Sequence, residues 1–231
     1  MISVRASKQR GHVDHGWLNA KHTFSFGSYY DESNMGFRSL RVINEDVVSP
    51  GAGFGMHPHR DMEIITYPIS GALEHKDSMG NVGVLTPGMI QRMSAGSGVL
   101  HSEFNHSDSE AVHLLQIWIE PLRKGIQPSY EDLSFDLDAS KGSLVPIAGG
   151  GEGNSAALNQ DVKLYAARLS AGDELVLPLS NDRYGWLQVV KGEGTIAGEH
   201  VGEGDGVQIS QESEPVFSAS ENSEILLFDL A

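Results

Sequence analysis

The hydrophobic residues of this chain fall in short runs that are separated by turn residues. The clearest runs are "MEIITYPIS" (62–70) and "AVHLLQIWIEP" (111–121), which are rich in β-branched and aromatic residues and end at glycine or proline. Helical periodicity is hard to find, and the 27 glycines indicate many turns. Short strands at this spacing predict an all-β fold of the sandwich or barrel type.

The two halves of the chain follow a similar pattern. Residues 63–93 and 185–209 each run strand, glycine, strand, turn and strand. This weak similarity favours a duplicated all-β unit, although any two hairpins with glycine turns share it. The 231 residues suit two domains of roughly 100 residues each, and the glycine-rich "AGGGEGNSAA" (148–157) predicts a surface loop or connection.

Charge and composition exclude several classes of protein. The formal net charge of −15 opposes direct binding to DNA or RNA, and it is compatible with a protein partner. Without cysteine, the chain has no disulfide, thiolate metal site or cysteine nucleophile. The sequence shows no apolar signal region and no apolar run of about 18 residues, so we expect a cytoplasmic protein without a membrane partner.

The segment "GMHPHRDME" (55–63) carries two histidines, His57 and His59, on either side of Pro58. Alternate residues of a strand point to the same face, and the proline favours an extended conformation for His57. Two adjacent imidazoles can bind one metal ion, because neutral imidazole nitrogen is a good ligand for Fe, Zn, Cu or Ni. A single pair of this kind is nevertheless common on surface loops.

A second pair with the same spacing, His101 and Glu103, lies in "GVLHSEFN" (98–105). If the two strands face each other across a barrel interior, they bring together three imidazoles and one carboxylate. An octahedral ion held by these four groups keeps about two positions open for water, substrate or O₂. Open positions indicate a catalytic or sensing site rather than a structural one.

Glu63 competes with Glu103 as the carboxylate ligand, because a turn at residues 60–61 would fold it back toward the histidines. Spacing alone does not decide between the two. We interpret the remaining histidines as surface or hydrogen-bonded residues that form no further ligand pair, with His113 buried beside the core and His22 at a cavity mouth. These histidines are His12, His15, His22, His75, His106, His113 and His200.

The glycine, histidine and glutamate spacing from Gly51 to Gly71 resembles the first cupin motif. Three longer stretches resemble the pirin family more specifically, and together they cover most of residues 10–121. The C-terminal half resembles the second cupin domain of bacterial pirin-like proteins on looser grounds. The three stretches are "HGWLNAKHTFSFGSYYD" (15–31), "GFGMHPHRDMEIITYPISGALEHKDSMGN" (53–81) and "MSAGSGVLHSEFN" (93–105).

The resemblance implies two tandem cupin barrels, each a double-stranded β-helix or jelly roll. A metal-binding domain would span residues 1–138, and a C-terminal cupin without metal ligands would span residues 139–231. The first domain would hold one divalent metal ion, with Fe(II) favoured over Zn, Mn, Co, Ni or Cu. Glu63 would support this site without binding the metal. The implied ligands, carried over residue by residue, are His57, His59, His101 and Glu103.

The resemblance also implies two alternative functions. Bacterial pirins resemble quercetin 2,3-dioxygenases, which open the central ring of a flavonol with O₂ and release carbon monoxide. Here Glu103 would be both metal ligand and catalytic base for a flavonol or another small aromatic substrate. Eukaryotic pirins are similar to metal-dependent transcription cofactors. They imply a redox-sensing regulator that acts through a protein partner without turnover.

Overall fold

The computed structural model describes residues 1–150 and 154–231. Within them the only helix is a single 3₁₀ turn, Ser7–Gln9, so the predicted all-β class is confirmed. No helix among the described residues is long and apolar enough to cross a bilayer. Residues 151–153 of the predicted glycine-rich loop lie outside the described residues.

The strands of the described residues are numbered in chain order. They are β1 (Ile2–Arg5), β2 (Gly11–Asp14), β3 (Leu18–His22), β4 (Leu40–Val48), β5 (Gly53–Ser70), β6 (Leu73–Asp77), β7 (Val82–Leu85), β8 (Met89–Asn105), β9 (Val112–Ile119), β10 (Ser129–Ser134), β11 (Val145–Gly149), β12 (Val162–Leu169), β13 (Glu174–Val176), β14 (Tyr184–Lys191), β15 (Glu193–Ile196), β16 (Glu199–Gly202), β17 (Gly206–Ser210), β18 (Val216–Ala219) and β19 (Ser223–Leu230).

The chain forms two compact units. The site unit comprises Gly11–Ser134 and Leu158–Gln160, and the C-terminal unit comprises Met1–Arg10, Phe135–Ala157 and Asp161–Ala231. The division predicted from the sequence places residues 1–10 in the metal-binding domain. In the structure they lie in the C-terminal unit, because β1 pairs antiparallel with β17.

The site unit is one curled sheet in which β5 and β8 are the longest strands, with 18 and 17 residues. The sequence predicted several short strands in this region, but each long strand bends without ending. In β8 the bend falls at Gly96, where φ is +47° and an added Cβ would lie 2.2 Å from the carbonyl oxygen of Ile126. The strand order is β2-β3-β4-β9-β5-β8-β6-β7, and β10 pairs with β8.

The C-terminal unit contains two sheets, ordered β1-β17-β14-β19-β12-β11 and β13-β18-β15-β16. Its core is filled by apolar side chains such as Leu187 on β14 and Phe217 on β18. Burial of this apolar surface is the main force that stabilises such a unit. The predicted lack of metal ligands in this half stays a prediction.

Candidate metal centre

The two candidate ligand pairs lie on neighbouring strands. β5 and β8 are hydrogen-bonded antiparallel, and His57 is directly opposite His101 in their register. The two pairs therefore lie on hydrogen-bonded neighbouring strands of one sheet, and not on strands that face each other across a barrel interior. The ring centroids of His57 and His101 are 4.4 Å apart, and His59 lies 4.8 Å from each of them.

The three rings form a cluster that suits a metal ion. One ligand nitrogen from each of His57, His59 and His101 lies within 4.8 Å of the others. Burial, together with the neighbouring His101 and His57, lowers the pKa of His59 to about 4. Burial, His57 and His75 lower the pKa of His101 to about 3. Both rings are therefore neutral near pH 7 and keep a lone pair for a metal.

The hydrogen bonds of the cluster show which nitrogens are available. Nδ1 of His57 lies 2.8 Å from the carbonyl oxygen of Gly55. A carbonyl only accepts hydrogen bonds, so this nitrogen carries a proton, and in the neutral form of the ring the lone pair of His57 lies on Nε2. Nε2 of His101 is buried without a hydrogen-bond partner. A buried nitrogen acceptor without a donor is costly, and a bound cation would satisfy it.

Glu103 is buried near this cluster and is held in place by two side chains. The Thr66 hydroxyl donates to Oε1 at 3.2 Å, and the Gln116 amide donates to both oxygens at 3.2 and 3.0 Å. One carboxylate oxygen of Glu103 lies within 4.8 Å of ligand nitrogens of His101 and His75. The carboxylate is therefore fixed in orientation beside the histidine cluster.

Glu63 lies on the opposite face of β5 from the histidines. The register of β5 with β8 is irregular between His59 and Asp61, and Asp61 has a φ of +67°. This β-bulge interrupts the alternation of side chains. The Glu63 carboxylate accepts hydrogen bonds from Ser94 Oγ at 2.8 Å and from the Asn159 backbone at 3.3 Å. The turn that would bring Glu63 to the histidines does not form.

The sequence interpretation missed His75. It is fully buried on β6, and its Nδ1 lies 3.4 Å from Nδ1 of His101. Its Nε2 lies 3.5 Å from Oδ2 of Asp77. The signal was present in the sequence, because His75 and Asp77 have the same two-residue spacing as the two recognised pairs. The run "LEHKD" forms β6, within residues 71–81 that the sequence pattern predicts as a strand followed by a turn.

Asp77 is an ionised acceptor within this cluster. Burial pushes its pKa upward, but hydrogen bonds from the side chain and backbone of Asn81 and from the Met79 backbone hold the pKa of Asp77 below its usual range. These donors lie at 2.7, 3.0 and 2.8 Å from the carboxylate oxygens. The carboxylate can therefore accept a hydrogen bond from the N–H group of His75.

Apolar and aromatic side chains surround the histidines on one side. Trp118 meets His59 edge to face at 4.9 Å and packs on a buried cluster that includes Ile64 and Val99. Phe26 meets Trp118 edge to face at 5.3 Å. This wall limits the access of water to the cluster and lowers the local dielectric.

Two further polar groups occupy the site unit near these elements. His22, predicted at a cavity mouth, is buried with its Nδ1 2.8 Å from Asn44 Oδ1, and its ring is 5.3 Å from that of Phe26. Burial and the charges of Glu103 and Glu45 raise the pKa of Asp46 to about 7. Oδ1 of Asp46 is buried without a hydrogen-bond partner.

His113 is half-buried on β9 rather than enclosed in the core. Its Nε2 lies 3.1 Å from Oε1 of Glu45, as expected for a hydrogen-bonded histidine. Its neighbours in the strand register are Val47 and Ser70, so it lies on the opposite face of β9 from Gln116. His113 therefore takes no part in the histidine cluster.

Comparison with known proteins matches both halves of the chain to families. The family model "Pirin" matches residues 3–119, and the model "Quercetinase C-terminal cupin domain" matches residues 147–230. The two matches in tandem confirm the predicted bicupin architecture.

Two curated relatives match over nearly their full length. A protein of Escherichia coli strain K12 named quercetin 2,3-dioxygenase is 46% identical over 230 residues, covering 100% of this chain and 99% of the relative. A putative quercetin 2,3-dioxygenase of Pasteurella multocida is 45% identical and covers 100% of both chains.

Solved structures give the same result. The crystal structure of YhhW from Escherichia coli is 45% identical, has a TM-score of 0.96, and covers 100% of this chain and 98% of that one. A second structure is described as the bacterial pirin YhhW in complex with nickel(II). It is 44% identical with a TM-score of 0.95, and covers 100% of this chain and 99% of that one. On sequence and fold together, this chain belongs to the pirin family.

Proposed function

We propose that this protein is a metal-dependent dioxygenase that opens the central ring of a flavonol such as quercetin with O₂ and releases carbon monoxide. The observation that carries the proposal is the convergence of the imidazoles of His57, His59 and His101 near the buried carboxylate of Glu103. The name of the relative from Escherichia coli, 46% identical over its length, supports the substrate class.

We assign metal binding to the site unit, with His57, His59, His101 and Glu103 as ligands. A divalent ion held by these residues would supply Lewis-acid chemistry to the substrate and O₂. Fe(II) is our first choice, while nitrogen and carboxylate donors also accept Zn, Mn, Co, Ni or Cu. The nickel(II) complex of the relative supports a divalent ion without fixing its identity.

Glu103 has a second role as the base for the flavonol 3-hydroxyl. Its carboxylate accepts the proton as the substrate oxygen approaches, and the donors Thr66 and Gln116 hold the carboxylate in orientation. Positioned general bases of this kind contribute about 10²–10⁴-fold to a rate. The loss of the hydroxyl proton makes the substrate electron-rich, which its reaction with O₂ requires.

The apolar wall gives the site a surface that suits an aromatic substrate. Trp118, packed edge to face on His59, offers an aromatic surface beside the ligands. Its indole Nε1 is buried without a hydrogen-bond partner. Exclusion of water by Ile64 and Val99 strengthens the electrostatic interactions inside the site.

The test is oxygen consumption by anaerobically iron-loaded protein after quercetin is added, with carbon monoxide measured in the headspace. His57→Ala should lose both signals together with its bound iron. His200→Ala, which changes an exposed histidine of the C-terminal unit, is the matched control and should keep them. Lack of uptake in wild-type protein with iron confirmed would contradict the proposal and move support to the redox-sensing regulator.

A further inference from the structure

A buried chain of polar groups runs outward from the histidine cluster. Nδ1 of His101 meets Nδ1 of His75 at 3.4 Å, and Nε2 of His75 meets Oδ2 of Asp77 at 3.5 Å. The side chains of His75 and Asp77 are both 0% exposed. Bulk solvent therefore does not reach these two side chains, and the hydrogen-bonding capacity of the neighbouring groups decides which nitrogen carries each proton.

Asp77 decides which group donates the hydrogen bond at the outer end of this row of side chains. Backbone N–H groups of Met79 and Asn81 donate to Oδ1, and the Asn81 side-chain amide donates to Oδ2 at 2.7 Å. A carboxylate that receives these donors acts as an acceptor toward His75 as well. Nε2 of His75 therefore carries a proton, and a neutral His75 keeps its lone pair on Nδ1.

The same argument applies to the hydrogen bond between His75 and His101 at the inner end of the row. Two imidazole nitrogens can share only one proton between them, so the lone pair on Nδ1 of His75 requires a proton on Nδ1 of His101. A neutral His101 then has its lone pair on Nε2. This is the nitrogen that is buried without a hydrogen-bond partner.

The ring of His75 is held in this orientation by Tyr130. The two ring centroids are 4.9 Å apart with an interplanar angle of 31°. The Tyr130 hydroxyl donates to Asp132 Oδ2 and accepts from Gln91 Nε2, both at 2.8 Å. Gly83 leaves the room for this arrangement, since a Cβ there would lie 2.9 Å from both the Tyr130 hydroxyl and Asp132 Oδ2.

We propose that His75 and Asp77 are positioning residues that hold His101 in the tautomer with Nδ1 protonated, so that Nε2 is presented to the metal. The inference rests on the proposed metal centre for its purpose, while the tautomer itself is a property of the metal-free protein. Partners of this kind fix the ring orientation of a ligating histidine and raise its basicity.

The first test is nitrogen NMR of the imidazoles in metal-free wild-type protein, which distinguishes the two tautomers. We expect His101 with the proton on Nδ1 and His75 with the proton on Nε2. A His101 protonated on Nε2 would overturn the inference. This readout requires neither metal nor turnover, so it decides the inference even if the protein proves to have no dioxygenase activity.

The second test is metal affinity by competition with a chelator, with Fe(II) and Ni(II) as probes. His75→Phe keeps a ring against Tyr130 but removes the acceptor, and we expect about a 10–100-fold loss of affinity. His75→Asn restores an acceptor near the position of Nδ1 and should recover most of that loss. Unchanged affinity in His75→Phe would overturn the inference.

His113→Phe is the matched control for this series. It removes a histidine that also contacts a carboxylate on a strand of the site unit, but on the other face of its strand. Its affinity should equal that of the wild type. Equal losses in His75→Phe and His113→Phe would assign the effect to general destabilisation and overturn the inference.

Discussion

His57 and His101 are directly opposite each other in the antiparallel pair β5–β8, with ring centroids 4.4 Å apart. Two neighbouring strands joined by backbone hydrogen bonds hold these rings, so their separation does not depend on a mobile loop. Ligands on such elements are held more precisely than ligands on loops. The cluster is therefore formed before a metal ion binds.

Glu103→Gln should separate the role of a base from the role of a ligand. The substitution keeps the size of the side chain and loses the carboxylate, so we expect turnover per bound iron to fall about 100-fold or more. The measurement is oxygen uptake normalised to iron content. Glu120→Gln, at an exposed position, is the control. Full turnover in Glu103→Gln would show that another group takes the proton.

Glu63→Gln should leave metal affinity unchanged to within about twofold, because Glu63 lies on the other face of β5 and bonds to Ser94 and Asn159. The measurement is chelator competition beside Glu103→Gln, which should bind more weakly. A loss of affinity in Glu63→Gln equal to that in Glu103→Gln would make Glu63 a ligand after all.

The buried imidazoles of His59 and His101 should contribute stability to the metal-free protein that is lost as the pH drops below about 6.5, whereas the carboxyl of Asp46 contributes in the opposite direction over the same interval. The folded pKa values of His59 and His101, about 4 and about 3, lie below the ordinary histidine pKa of 6.5. Between these values the unfolded chain binds more protons than the folded one, so acid favours unfolding. Urea unfolding at several pH values measures this dependence.

His101→Leu should have a shallower pH dependence than the wild type over the same interval, because it removes one of the two buried imidazoles. His12→Leu, which changes an exposed histidine, should keep the slope of the wild type. Identical slopes in wild type and His101→Leu would contradict the low pKa of His101.

Asp46→Asn should stabilise the metal-free protein above about pH 7 and change little near pH 4. Burial raises the pKa of Asp46 to about 7 in the folded protein, against an ordinary aspartate pKa of 3.8. As the pH rises through this interval, the unfolded chain releases the Asp46 proton first, and the free energy of unfolding falls by on the order of a few kcal/mol. Asparagine does not ionise, so Asp46→Asn does not lose this stability. Urea midpoints measured with Asp108→Asn as an exposed control test this, and parallel pH profiles for wild type and Asp46→Asn would refute it.

Spacing along the chain was sufficient to predict the extended segments that carry the two candidate ligand pairs. His57 and His59 lie on β5, and His101 and Glu103 lie on β8, as the alternation of strand side chains requires. The pirin resemblance also predicted the bicupin fold, which the family matches confirm. The assignment of the four residues as metal ligands stays a prediction, as does the cytoplasmic location.

The sequence by itself determined the all-β class, the strands that carry the histidines and the family. Only the tertiary structure decided which residues meet. His75 reaches His101 because β6 pairs with β8, and Glu63 turns away because a bulge at Asp61 interrupts the alternation. Local propensity sets the period of a strand, whereas its partner, register and bulges depend on contacts between residues far apart in the chain.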